Sequence, residues 1–102
     1  MSTDDFYEEQ GRLDGAICEH SLEDKMEFLK NLSGLGVKNI EMEAGYFAAF
    51  THHLGIKAGV ICVALINRLE GDTVRSKKKD LVEFEKFPIQ VLLGYIKKHH
   101  IK

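Results

Sequence analysis

At 102 residues, with 44% apolar and 29% charged content, the chain has the composition of one soluble globular domain able to bury one core. A net charge of -2 offers no basic field for phosphate backbones or anionic lipid, which argues against nucleic acid as a partner. The longest uncharged run, Ala58 to Ile66, is far shorter than the roughly 18 residues of a membrane span, and no basic-then-apolar leader opens the sequence, so the cytoplasm is the expected location and no membrane role is expected.

In chain order, SLEDKMEFLKNL opens with Ser21 and an acidic residue three positions on, then sets Leu22, Met26, Leu29 and Leu32 on one face; this predicts a helix over 21–33, ended by SGLG. VKNIEME (37–43) fits a short strand with Glu41 and Glu43 at its carboxyl end. Ala44, Phe47, Ala48 and Leu54 recur at helical spacing up to a stop at Gly55. IKAGVICVALI (56–66), nearly continuous in Val and Ile, has the pattern of a central strand covered on both faces. EGDTVRSKKKD (70–80) reads as a surface loop with a solvated lysine run. From Leu81 the chain turns helical, broken before Pro88, with a stripe of Ile89, Leu92, Leu93 and Ile96 that ends in the basic tail KKHHIK. Helix, strand, helix, strand, helix implies an α/β layered sheet over 1–102 as a single domain. In such sheets ligands gather at strand carboxyl ends, where Glu41, Glu43, Asn67 and Arg68 fall.

Cys18 and Cys62 lack C-x-x-C spacing and read as free thiols, Cys62 as a small hydrophobe within the apolar run. The pairs His52, His53 and His99, His100 suit helix C-termini. No metal site is expected from either set.

Two groups could carry chemistry. The carboxylates of E-x-E either cap the positive end of the following helix or accept hydrogen bonds from the vicinal hydroxyls of a sugar, with Met42 between them as a soft apolar surface. In FYEEQGRLDGA, Gln10 and Arg12 point the same way if the segment is extended. An amide both donates and accepts, as the imide edge of a pyrimidine requires, and a guanidinium donates to a carbonyl oxygen that gathers negative charge. The alternative is an exposed polar turn with Phe6 as a core anchor.

DFYEEQGRLDGA, NIEMEAGYFAA and VALINRLEGD, in this order and spacing, resemble the C-terminal part of the uridine phosphorylases, the animal-type enzymes most of all, and the resemblance covers nearly the whole chain. It implies the nucleoside phosphorylase fold, a mixed β-sheet with helices on both faces, of which 1–102 is the C-terminal portion. It implies phosphorolysis of uridine to uracil and ribose 1-phosphate, with phosphate as co-substrate and no cofactor. On this resemblance Gln10 and Arg12 grip the uracil edge and Phe6 packs on its ring. Glu41, Met42 and Glu43 form the ribose segment, with Glu43 on the 2′-hydroxyl. Leu65 and Ile66 wall the pyrimidine 5-position, and Arg68 helps hold the base from a mobile loop. Arg12, Gln10 and Glu43 are the residues expected to act in catalysis.

Family chains are more than twice as long, and their glycine-rich and arginine phosphate site lies in a preceding part, so the resemblance implies a truncated product, inactive alone, that self-associates or joins full-length subunits. Glu9 stands where the family usually has glycine, and Ala44 where serine is frequent. An inward Glu9 would oppose an anionic base, whereas an outward one would change little. Residues 56–66, if unpaired, are an aggregation hazard. Two other readings are a non-catalytic interaction protein built on the same sequence and a small nucleotide-binding α/β domain.

Overall fold

The computed structural model describes residues 1–100, leaving the last two residues of the basic tail outside the described set, together with the side chain of His100. Four helices follow in order: α1 (Leu22–Gly34), α2 (Ala44–His53), α3 (Lys78–Phe84) and α4 (Phe87–His100). None is long and apolar enough to cross a membrane.

The start of α1 is the one its sequence specifies. Ser21 Oγ accepts from the Asp24 amide at 3.1 Å while the Asp24 carboxylate accepts from the Ser21 amide at 2.7 Å, so two otherwise orphan donors are satisfied reciprocally. Both early helices stop at glycine with the same pair of bonds. Gly36 and Val37 donate to Ser33 and Leu32, and Gly55 and Ile56 donate to His52 and Thr51. Gly55 takes a φ of +67°, a conformation costly for a residue with a Cβ. Along the predicted face of α1, Met26, Leu29 and Leu32 are half-buried but Leu22 is exposed.

At the other end of the chain, α3 starts at Lys78, so Lys78, Lys79 and Asp80 are helical where a loop was expected; Asp80 lies in the first turn, the favoured end for an acid. Pro88 falls in the first turn of α4, where the missing N–H has no partner to lose, so the proline starts a helix and separates it from α3.

The predicted strands do not form ladders. Segment 37–43 contributes an isolated parallel bridge, Ser2 to Glu41, and 56–66 carries no strand. A strand exists only through a neighbour's N–H and C=O groups, and for 56–66 no such neighbour is present among the described residues. The expected single apolar core is likewise absent. No hydrophobic residue is buried among those described, and Cys62, expected inside, is exposed.

The described residues divide into two compact units. The first comprises Met1–Gly59 with Asn67–Asp72, and the second comprises Val60–Ile66 with the chain from Thr73 onward. Thr3, Gln10, Arg12, Lys25 and Thr51, the buried polar and charged residues, all belong to the first unit.

Candidate functional site

The first unit places Gln10, Arg12 and Arg68 in one polar knot. Its base is the pairing of residues 1–3 with 39–41. The Met1 ammonium donates to the Asn39 carbonyl, the Glu41 amide to the Met1 carbonyl and the Thr3 amide to the Glu41 carbonyl. Thr3, buried by this pairing, presents its hydroxyl to Gln10 Nε2 at 3.0 Å. The opening segment and the E-x-E segment are therefore linked through one residue.

Residues 7–12 form a turn rather than the extended run from which a shared direction for Gln10 and Arg12 was inferred. The Gly11 amide donates to the Glu8 carbonyl and the Arg12 amide to the Tyr7 carbonyl. Gly11 is required there. Its φ is +59°, and a Cβ would stand 2.8 Å from Phe28 Cδ1. The turn delivers both side chains inward, leaving Gln10 6% and Arg12 5% exposed.

Three neighbours fix the Arg12 guanidinium. Asp14 takes Nε and Nη2 in a two-point fork at 2.8 and 2.7 Å, Nη2 also donates to the Asp72 carbonyl, and the Phe6 ring lies 4.2 Å from Cζ. The bond to Asp14 raises the guanidinium pKa and lowers that of the carboxyl. Arg12 is thus cationic and stationary.

Asp72 gathers the remaining charges. Lys25 Nζ and Arg68 Nε both donate to its Oδ1 at 2.8 Å, and the Leu13 amide donates to Oδ2 at 3.0 Å. Burial pushes the Asp72 carboxyl up, but Lys25, the Leu13 amide and Arg68 outweigh it and hold the group at about 2. Arg68 also donates through Nη2 to the Gln10 carbonyl at 2.8 Å, so the expected base-holding arginine touches the backbone of the expected base-binding amide. Arg12, Lys25 and Arg68 are thus the cations and Asp14 and Asp72 the anions of this network.

The two carboxylates of E-x-E differ in what they contact. Glu41 accepts from the amides of Glu43 at 2.8 Å and Ala44 at 2.6 Å, and these bonds, that to Ala44 foremost, lower its pKa. It is a helix cap, acting on the start of α2. Glu43 is exposed, occupies the N-cap position and makes no cap bond with its side chain. Met42 between them is half-buried.

Glu9 points outward: its carboxylate accepts from the amides of Asp4 and Asp5 at 2.7 and 3.0 Å and remains exposed. At Ala44 the backbone amide rather than the side chain carries the contact, to Glu41. Leu65 and Ile66 belong to the second unit, Leu65 exposed and Ile66 half-buried.

Thr3, Asp14, Lys25 and Asp72 were not singled out from the sequence. Two of them had a local signal, since R-x-D places Asp14 beside Arg12 and Arg68 precedes Asp72 by four residues. Thr3 and Lys25 had none.

A glycine-kinked turn thus carries a buried amide and a fixed arginine, and Thr3 ties it to the acidic segment at the start of α2. The chain belongs to the phosphorylase superfamily, whose family model matches residues 1–97. Within that superfamily it is similar to uridine phosphorylases. The uridine and thymidine phosphorylase of Caenorhabditis elegans is 47% identical over 98 residues, which are 96% of this chain and 33% of that protein. A solved uridine phosphorylase of the oomycete Phytophthora capsici is 59% identical with a TM-score of 0.86, covering 95% of this chain and 33% of that one. The Schistosoma mansoni enzyme crystallised with uracil is 38% identical with a TM-score of 0.90, covering 97% and 35%. The chain therefore has the fold of this enzyme family and spans about a third of the length of these relatives.

Proposed function

We propose that this chain carries the base- and sugar-binding segments of a uridine phosphorylase. The observation that supports this most directly is the immobilisation of Arg12 and Gln10 by Asp14 and Thr3, in the segment that resembles the uracil grip of the family. In phosphorolysis a phosphate oxygen bonds to C1′ of the ribose as the bond to N1 of uracil breaks. The released electron pair spreads over the ring and its carbonyl oxygens. Arg12 donates to a carbonyl oxygen that becomes more negative, and Gln10 pairs with the imide edge. Because Asp14 fixes the guanidinium beforehand, little reorganisation is required as charge develops. Phe6 packs on the ring, and Arg68, through the Gln10 backbone, keeps the amide in place. Glu43 accepts from the 2′-hydroxyl and orients the sugar, with Met42 against its apolar side; Glu41 shapes this segment by capping α2.

The phosphate donors come, in this proposal, from outside these 102 residues, in a longer chain or in an associated subunit. Among the described residues no glycine-rich turn aims backbone amides at an anion, and Lys77, Lys78 and Lys79 lie at the exposed start of α3. The layered mixed sheet forms when segments 37–43 and 56–66 gain neighbours from that same source. The purified chain then binds uracil and releases none from uridine and phosphate. Calorimetry with uracil and an absorbance assay of uridine cleavage test both halves. Absence of uracil binding, or equal binding by Arg12→Ala, would remove the proposal.

A second reading is supported by the exposed apolar side chains of α2 and α4, such as Phe50, Val91 and Leu92. On it the chain is a non-catalytic partner of full-length subunits in the cytoplasm. Co-purification with such a subunit, combined with no uracil binding, would favour it.

A further inference from the structure

Three side chains outside the proposed nucleoside site converge at one point, among them Cys18, whose spacing from Cys62 gave no sign of a metal site. Glu8 lies in the turn of residues 7–12, and Cys18 and His20 lie beyond it, before α1. Their donor atoms all lie within 4.8 Å of one another. His20 Nδ1 is 3.4 Å from Glu8 Oε2, and Cys18 Sγ is 3.7 Å from the same nitrogen.

We propose that Glu8, Cys18 and His20 bind a zinc ion. Zinc holds sulfur at about 2.3 Å and nitrogen or oxygen at about 2.0–2.2 Å in a tetrahedron. Simple trigonometry then puts nitrogen and oxygen ligands roughly 3.4 Å apart, and sulfur and nitrogen ligands roughly 3.6 Å apart. The first two edges of the triangle already have these lengths. Sγ is nearly equidistant from the two ring nitrogens, at 3.7 and 3.8 Å, so a turn of the imidazole about χ2, a soft torsion, directs the Nδ1 lone pair to the centre. Glu8 is 56% exposed and free to close the third edge, and the site is open to an arriving ion.

The donor set selects the metal. Thiolate and imidazole favour a borderline-soft ion over magnesium or calcium, which take oxygen ligands. On binding, the Cys18 thiol releases its proton to solvent, and the thiolate and the Glu8 carboxylate offset the charge of the ion. A fourth position stays open to water. Because the ligands bracket residues 10–12, the ion is a clasp that ties the turn carrying Gln10 and Arg12 to the segment entering α1. The inference does not depend on the nucleoside reading.

Cobalt(II) reports such a site optically, since thiolate ligation adds near-ultraviolet charge transfer and a tetrahedral site adds strong visible bands. Titration of the purified chain should yield both at one equivalent. Cys62→Ser should leave them unchanged, whereas Cys18→Ser should abolish the charge-transfer band. His20→Gln and Glu8→Gln should each weaken binding by about tenfold or more. Excess zinc, but not magnesium, should bleach the spectrum. Far-ultraviolet circular dichroism checks that each variant keeps its helices, and Glu8→Gln, at an exposed position, serves if the others lose them. No thiolate band in the wild type, a band that follows Cys62, or wild-type affinity in Glu8→Gln would overturn the assignment.

Discussion

The first unit buries charge, and the second has no buried residue among those described. In the first, Lys25 is 3% exposed and ends on Asp72, beside Arg12 and Gln10 at similar depth. In the second, Val60–Ile66, α3 and the described side chains of α4 are half-buried at best, with Ile89, Val91, Leu92 and Leu93 exposed. The difference teaches what each kind of interaction needs. Ion pairs and hydrogen bonds close between two or three side chains with fixed geometry, so a short stretch of chain satisfies them. Apolar burial needs a second layer on the far side of each stripe, and Ile89, Leu92, Leu93 and Ile96 find none among the described residues.

The sharpest way to break the contrast is at Asp72. Asp72→Asn leaves Lys25 and Arg68 without their carboxylate, and loss of one partner in a buried network costs about 3 kcal/mol. Urea unfolding followed by circular dichroism should show that loss. An unchanged midpoint would mean that the first unit is held by something other than its charges.

Acid should act on the same group without mutation. The folded Asp72 carboxyl sits at about 2, below the 3.8 it has when unpaired, so its contribution is complete above about pH 4 and lost as pH falls toward 2. Asp72→Asn should flatten that part of the stability curve, and persistence of the acid transition in the variant would assign it elsewhere.

A smaller effect belongs to the backbone. Gly11→Ala combines a positive φ with a Cβ only 2.8 Å from Phe28, which should cost about 1–2 kcal/mol and weaken uracil binding more than it lowers the helix signal. Equal affinity would show that the turn tolerates a Cβ and does not position Gln10.

The smallest expected change tests the second unit. Val91→Lys replaces an exposed residue of α4, so the unfolding midpoint should move by less than about 0.5 kcal/mol while self-association measured by sedimentation falls. A large loss of stability would show that this face is covered in solution.

Much of the helical structure was legible because its signals are local. The Ser21 and Asp24 box and the Gly55 stop each act within a few residues, so sequence order is enough to read them. The E-x-E segment was legible as a pair of alternatives, and geometry shows capping for one residue: Glu41 spends its carboxylate on two amides, whereas the Glu43 side chain makes no cap bond. The strand at 56–66 was read from its Val and Ile content, but composition describes a preference for being covered and says nothing of whether a cover is there.

By itself the sequence determined the caps and stops of the early helices and the motifs that mark the family. Only the tertiary structure decided that Asp72 is the hub, that Thr3 links the two halves of the site, and that Cys18, His20 and Glu8 meet. Lys25 reaches Asp72 across 47 positions and Leu13 reaches it across 59. Caps close over distances that one turn of backbone fixes, whereas contacts of that separation exist only after the chain has folded back on itself.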